Sequence, residues 1–420
     1  MTQKSFLLKA RIIIPIFIIL HMFAFRPILV NAKESTKYDY VFQNNTHLYG
    51  SQLNEESQYY YLILLKRLKV PTEKEFSISI VGKDKNEISN AINNALNALF
   101  YDFPDYQWLK LGDKNSSYFK INYVNGKATK LVFYPVIKDE YKNTSEILKV
   151  FSKTEEVLDK IIKNMPKEYS TRYDRLKYIH DYLVKYITYD TTLQGDKIHS
   201  AYGALVEKKS VCEGYAKAFK LACEKLNIPS QLVTSDTHMW NYVMMDDGAW
   251  YVVDVTFDDP LLNGTSDYKD GKNLNHKYFL VGANSVAKSK DHKVNNNLNA
   301  GSFYFSTKTL AKNDYDSSKA KNEKLKIATN RFSERFIKDL TKPIFYVSKK
   351  TLGTKESYIQ SIKKLSNTAI ITYHSNKSTV AKVNQKGKIS AVGTGSCVIT
   401  TTVKQGGKTY VHKLNLTVKE

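Results

Sequence analysis

The alternation of apolar and polar positions is sharpest between Ser200 and Pro260. From Tyr215, apolar residues recur at Ala218, Phe219, Ala222, Cys223 and Leu226, which draws one stripe along an amphipathic helix. Asn227 and Pro229 stop that helix, and Ser210 reads as its N-cap. A short strand near Gln231 to Ser235 follows. Two runs rich in aromatic and β-branched residues come next, HMWNYVMM and AWYVVDVTF, separated by Asp246, Asp247 and Gly248. They read as a β-hairpin. A two-residue loop would put His238 and Asp254 on opposite faces. A three-residue loop with Gly248 left-handed opposes Met245 to Ala249, Trp240 to Asp254 and His238 to Thr256. His238 and Asp254 then share a face as diagonal neighbours, about 7–8 Å apart between backbones.

Elsewhere the pattern is coarser. Residues 33 to about 60 are polar and Tyr-rich without a clear period. EFSISIVG reads as a strand, the stretch from about Asn86 to before Pro104 as a helix, and YFKINYVNGKATKLVFYPVI as a hairpin turning at Asn125-Gly126. Ser145 to Asn164 and Ser170 to Val184 are helical in pattern. Residues 306–340 are rich in Lys, Asn, Ser and Asp and read as a linker, with a basic helical piece near Ala328 to Leu340. From Ile344, short alternating strands with turn residues between them suit a β-sandwich.

At 420 residues the chain should hold two or three domains. The expected order is a signal peptide at 1–32, an N-terminal α+β region at 33–148, a catalytic domain at 149–305, the linker at 306–340 and an all-β module at 341–420. The first segment has Lys4, Lys9 and Arg11, then IIIPIFIILHMFAF, then Val30-Asn31-Ala32, the order of a secretory signal cut after Ala32. Retention as an anchor is the alternative, and it alone would bring in a membrane. The expected location is secreted, at the cell surface or wall. No Cys near the cut suggests a lipid anchor, and the ending VKE carries no sorting motif.

The formal net charge is +22, and residues 341–420 hold fourteen Lys and two Glu with no Arg or Asp. In an exported chain this suits an anionic cell-wall polymer better than nucleic acid; a Lys-rich solvated surface is the equal alternative. Cys212 and Cys223 are eleven residues apart on one helix, about 16 Å of rise and too far for a disulfide. Cys397 lies in another domain, so all three thiols should be free.

Three residues carry chemistry. Cys212 falls in the first turn of its helix, where unpaired N–H groups and the helix dipole favour a thiolate. His238 can take the thiol proton and later protonate a leaving amine, while Asp254 holds the imidazole tautomer. The Cys212 N–H is an oxyanion donor, with Tyr202 a candidate second one. Cys223 reads as a buried apolar residue and His180 as a structural histidine. Trp240 and Trp250 either wall an acyl-donor channel or pack in the core. Asp258, Asp259, Asp267 and Asp270 make an oxygen-rich stretch without EF-hand spacing, so no metal and no cofactor is expected.

IHDYLVKYITYD, SAYGALV, VCEGYAKAF, HMWNYV, AWYVVDVTFDDP and HKYFLV, in this order, resemble the transglutaminase-like superfamily across about residues 150 to 285. The resemblance implies an α+β, papain-like core, a Cys helix packed on an antiparallel sheet that carries His and then Asp. Cys212 matches the family nucleophile, His238 the base and Asp254 the orienting carboxylate. SNKSTVAKVNQKGKISAVGTGSCVITTTV resembles the bacterial Ig-like group 2 domain, a spacer or adhesive sandwich. The expected function is cysteine-dependent acyl transfer on a protein or peptide through a Cys212 thioester, as a transglutaminase or a cysteine protease. The rival is a non-catalytic surface protein in which a pseudoenzyme core and the Ig-like module bind the wall.

Overall fold

A computed structural model describes residues 47–81, 84–111, 115–124, 127–259, 274–286, 292–294, 305–324, 326–328, 343–345, 347–363, 370–405 and 408–420. The proposed signal segment, the 125–126 turn, Asp267, Asp270 and the basic piece from 329 lie outside these residues. The chain divides into two units, 1–331 and 332–420.

Three consecutive tyrosines, Tyr59 to Tyr61, are buried on helix α1 (Glu55–Arg67), within a stretch whose sequence has no helical period. Their hydroxyls explain it. Tyr59 and Tyr60 donate to the carbonyls of Ser79 and Val81, and Tyr61 donates to Asp102 at 2.7 Å. Each ring is buried while its polar tip is satisfied, so tyrosine replaces the expected aliphatic residue. Strand β1 (Phe76–Ile78) follows, then helix α2 (Lys85–Asp102), started by the Asp84 cap and ended before Pro104. Strands β2 (Tyr118–Val124) and β3 (Lys127–Tyr134) complete a sheet of order β1-β3-β2.

Helices α3 (Thr144–Lys163) and α4 (Arg172–Tyr186) begin with side-chain caps, Asn143 and the Thr171/Asp174 capping box. Strand β4 (Thr188–Tyr189) pairs in parallel with β5 (Lys209–Ser210), placing Tyr189 opposite Ser210. Helix α5 (Cys212–Lys225) then ends where Asn227 turns left-handed at φ 55°. Beside it lies an antiparallel sheet of order β6-β7-β8-β9: β6 (Ser230–Thr234), β7 (Met239–Met244), β8 (Trp250–Val253) and β9 (Phe279–Val281). Helix α6 (Ala283–Val286) follows.

The α5 stripe, Tyr215, Ala218, Phe219, Ala222, Cys223 and Leu226, is buried with Leu176, Ile179 and Leu183 of α4 and Val243 and Val253 of the sheet. Each side chain so removed from water contributes about 1.5–3 kcal/mol before entropy is counted. Trp240, Tyr242, Trp250 and Val252 form the opposite sheet face and pack with Leu48. Trp240 is 1% exposed and Trp250 8%, so both are core residues.

The polar stretch expected to be a linker from 306 instead runs along the first unit. Ala311 N–H bonds the Trp250 carbonyl and Tyr315 N–H the Leu280 carbonyl, while the Tyr315 hydroxyl donates to Asp246. Arg172 clasps Glu323 through Nε and Nη2. Its polarity reflects hydrogen bonding to the core, which a hydropathy pattern cannot register.

In the second unit, strands β10 (Ile344–Phe345) and β13 (Ile362–Lys363) form a pair. Strands β11 (Lys349–Gly353), β14 (Ile370–Ser375), β17 (Gly395–Gln405) and β18 (Lys408–Lys419) form a sheet of order β11-β18-β17-β14. Strands β12 (Ser357–Ile359), β15 (Ala381–Val383) and β16 (Lys388–Ala391) form another, β12-β16-β15. The two larger sheets share a core of Leu352, Ala381, Ile389, Cys397, Ile399, Leu414, Leu416 and Val418.

Candidate active site

Cys212 is the first residue of α5, 6% exposed, and its thiol is free, as are those of Cys223 and Cys397. Val211 rather than Ser210 takes the N-cap position, with no side-chain cap. Ser210 is committed elsewhere, its hydroxyl donating to the Ile198 carbonyl at 2.6 Å. The Ser210 hydroxyl therefore does not cap the first turn. The turn also sits tightly on the preceding segment. A Cβ at Gly214 would lie 1.8 Å from Ser210 Oγ and 2.8 Å from the Ser200 carbonyl oxygen, so this position requires glycine.

His238 and Asp254 flank the hairpin at one end of the sheet, just before β7 and just after β8. The turn has the expected form. Met245 N–H bonds the Ala249 carbonyl, Gly248 has φ 82°, and Met244 opposes Trp250. Continuing that register opposes Trp240 to Asp254, and the two side chains meet: His238 Nε2 lies 2.6 Å from Asp254 Oδ2. The Cys212 thiol is also close enough to the His238 ring to raise its pKa. With Nε2 spent on the carboxylate, Nδ1 is the nitrogen left for sulfur. Phe257 stacks on the imidazole at 4.2 Å and 8°, fixing its plane.

Burial alone would lower the His238 pKa, but the Asp254 charge and hydrogen bond, and then Cys212, raise it to about 10. Burial works against the charge on Asp254, yet His238 and His292 hold it well below the carboxylate range. The pair is thus an imidazolium–carboxylate at neutral pH, beside the Cys212 sulfur. Cys223 is the opposite case: burial pushes its pKa up to about 12.

Two neighbours escaped the sequence reading. His292 Nε2 reaches the same Asp254 Oδ2 at 2.7 Å. It lies in KDHKVNNN, which has neither periodicity nor a motif. Tyr189 was in reach of the reading, since it belongs to YITYD. The β4–β5 pairing sets its hydroxyl beside Cys212, whose N–H points at the phenol oxygen. Burial first, then the adjacent thiol, raises the Tyr189 pKa, so it stays an O–H donor. Tyr202, the residue considered for that place, lines a cavity with Trp108, Tyr141 and Phe151 and lies under the Lys197 ammonium.

The turn after β8 spends its remaining acids on structure. Asp258 accepts from Tyr278 N–H and lies 3.1 Å from His180 Nε2, and Asp259 accepts from the Tyr215 hydroxyl at 2.6 Å. His180, fully buried, has Asp181 Oδ1 at 3.0 Å on its other nitrogen. Burial opposes its charge, but the two carboxylates outweigh it and raise its pKa.

A cysteine at a helix start, beside a histidine that an aspartate orients from an antiparallel sheet, defines the thiol-centred class of sites. Residues 159–255 match the family model of the Transglutaminase-like superfamily. A solved structure titled "Crystal structure of a TGase" is similar at 15% identity and TM-score 0.24, over 49% of this chain and 56% of that one. The chain thus spans about half of that structure's length. No curated protein matches it. The family-model match supports a transglutaminase-like core at residues 159–255, within the first unit.

Proposed function

We propose that the chain is an exported cysteine-dependent acyl-transfer enzyme acting on protein or peptide substrates through a Cys212 thioester. The observation that carries this reading is the set Cys212–His238–Asp254, with Asp254 2.6 Å from an imidazole whose pKa the neighbouring Cys212 thiol also raises. The thiolate sulfur attacks a substrate carboxamide carbon. As the C–S bond forms and the C–N bond breaks, His238 gives its proton to the departing ammonia or amine. An amine or water then attacks the thioester, returns a proton to His238 and frees the thiolate. The Tyr189 O–H, and the Cys212 N–H once it turns from the phenol oxygen, are the donors for the oxyanion. An amine acceptor makes the reaction cross-linking; water makes it proteolysis or deamidation.

The C-terminal unit reads as an Ig-like spacer, its Lys-rich surface attracted to anionic wall polymer. Among the described residues no helix is long and apolar enough to cross a membrane. The test is to incubate the protein and its Cys212→Ala variant with glutamine-containing proteins and a labelled primary amine. Mass spectrometry then follows label incorporation and new N-termini. Cys212-dependent label identifies a transglutaminase, and Cys212-dependent N-termini a protease. Products that persist in Cys212→Ala, or no product in either protein, contradict the proposal.

A further inference from the structure

A second assembly of histidine and carboxylate lies apart from the thiol, and nothing in the acyl-transfer chemistry uses it. His180 Nδ1 is 3.0 Å from Asp181 Oδ1, and His276 Nε2 is 2.5 Å from that same oxygen. The three potential ligand atoms lie within 4.8 Å of one another. They come from α4 and from the segment just before β9, so the fold has brought together elements about ninety-five residues apart.

From this convergence we infer that His180, Asp181 and His276 form a binding site for a divalent transition-metal ion such as zinc. Zinc holds imidazole nitrogen at about 2.0–2.1 Å and carboxylate oxygen at about 2.0–2.2 Å, which spaces tetrahedral ligands by about 3.4 Å. The two separations to Asp181 Oδ1, 3.0 and 2.5 Å, are shorter than that, so the ligands must open by a few tenths of an ångström to about 1 Å to admit the ion. The needed adjustment falls on Asp181 and His276, whose side chains are 20% and 29% exposed, while His180 is rigidly buried. The exposed side also leaves a path for the ion and a fourth position for water.

Two surrounding contacts have the form of a metal site's outer layer. His180 gives its second nitrogen to Asp258, fully buried and itself fixed by the Tyr278 N–H. A carboxylate behind a ligating imidazole sets its tautomer and orientation. Lys177 holds the other oxygen of Asp181 at 2.6 Å, leaving Oδ1 to face the two rings. Without metal, the imidazoles share that oxygen through two N–H donors. On binding, the ion takes the lone pairs of both nitrogens, and the proton on each leaves to solvent or moves to the far ring nitrogen. The ion would tie α4 to the entry of β9 and, through Asp258, to the turn that bears Asp254.

The probe is zinc added to the chelator-treated full chain, followed by calorimetry and zinc X-ray absorption. The expected result is one saturable equivalent in a nitrogen/oxygen shell, kept in Cys212→Ala, lost in His276→Gln, and weakened about 10–100-fold in Asp258→Asn. The absence of saturable binding overturns the proposal without recourse to any variant. So does a shell containing sulfur at about 2.3 Å that vanishes in Cys212→Ala, or zinc that stays bound with undiminished affinity in His276→Gln.

Discussion

Two histidines in the first unit sit against buried aspartates, and they differ in what the second ring nitrogen meets. His238 has Asp254 on one side and the Cys212 thiol on the other; His180 has a carboxylate on both. The first arrangement leaves a group whose proton can be exchanged with a nucleophile. The second fixes the ring. Composition and burial are alike at the two places, so the partner on the second nitrogen, not the histidine–aspartate pair itself, separates chemistry from support.

The largest effect that sharpens this contrast is on turnover. His238→Ala should lower amine incorporation or peptide cleavage by about 10²–10⁴-fold with little loss of fold, measured as kcat/KM beside a far-UV spectrum. His180→Ala should do the reverse. It leaves buried Asp258 without its imidazole hydrogen-bond partner, which costs about 1–3 kcal/mol. Urea unfolding would register that loss, while thiol chemistry per folded molecule persists. If His180→Ala abolished turnover with stability unchanged, the distinction would fail.

A smaller effect separates the two by pH. The His238 pKa is raised to about 10 from an ordinary value of about 6.5. Its contribution to stability is therefore complete below about 6.5 and is lost as pH rises through about 10. Asp254, with a depressed pKa, contributes above about 3.9 and loses its contribution as pH falls below it. Urea midpoints of the wild type should fall relative to those of His238→Ala between about pH 7 and 10. A constant difference would contradict the His238–Asp254 ion pair.

What the sequence disclosed follows from where periodicity and turn chemistry act alone. The α5 stripe, the three-residue turn and the register that joins His238 to Asp254 were all legible, since each depends on spacing or on Gly248. His292 and Asp258 were not, because their roles arise from contacts 38 and 78 residues away along the chain. Residues 306–324, the described part of the stretch whose polarity reads as a linker over 306–340, are held to the first unit for a related reason. They are held by backbone bonds and by pairs such as Arg172–Glu323, interactions with no hydropathy period. The Ser210 cap failed because strand pairing with β4 had already claimed that residue.

The central claim is that His238 and Asp254 activate the Cys212 thiol. The direct measurement is the rate of iodoacetamide alkylation at each cysteine, resolved by peptide mass spectrometry, in the wild type and in His238→Ala. The account predicts that Cys212 reacts well ahead of buried Cys223 and Cys397, and about tenfold or more slowly once His238 is removed. A Cys212 that reacts no faster than free cysteine, or at the same rate without His238, would contradict it.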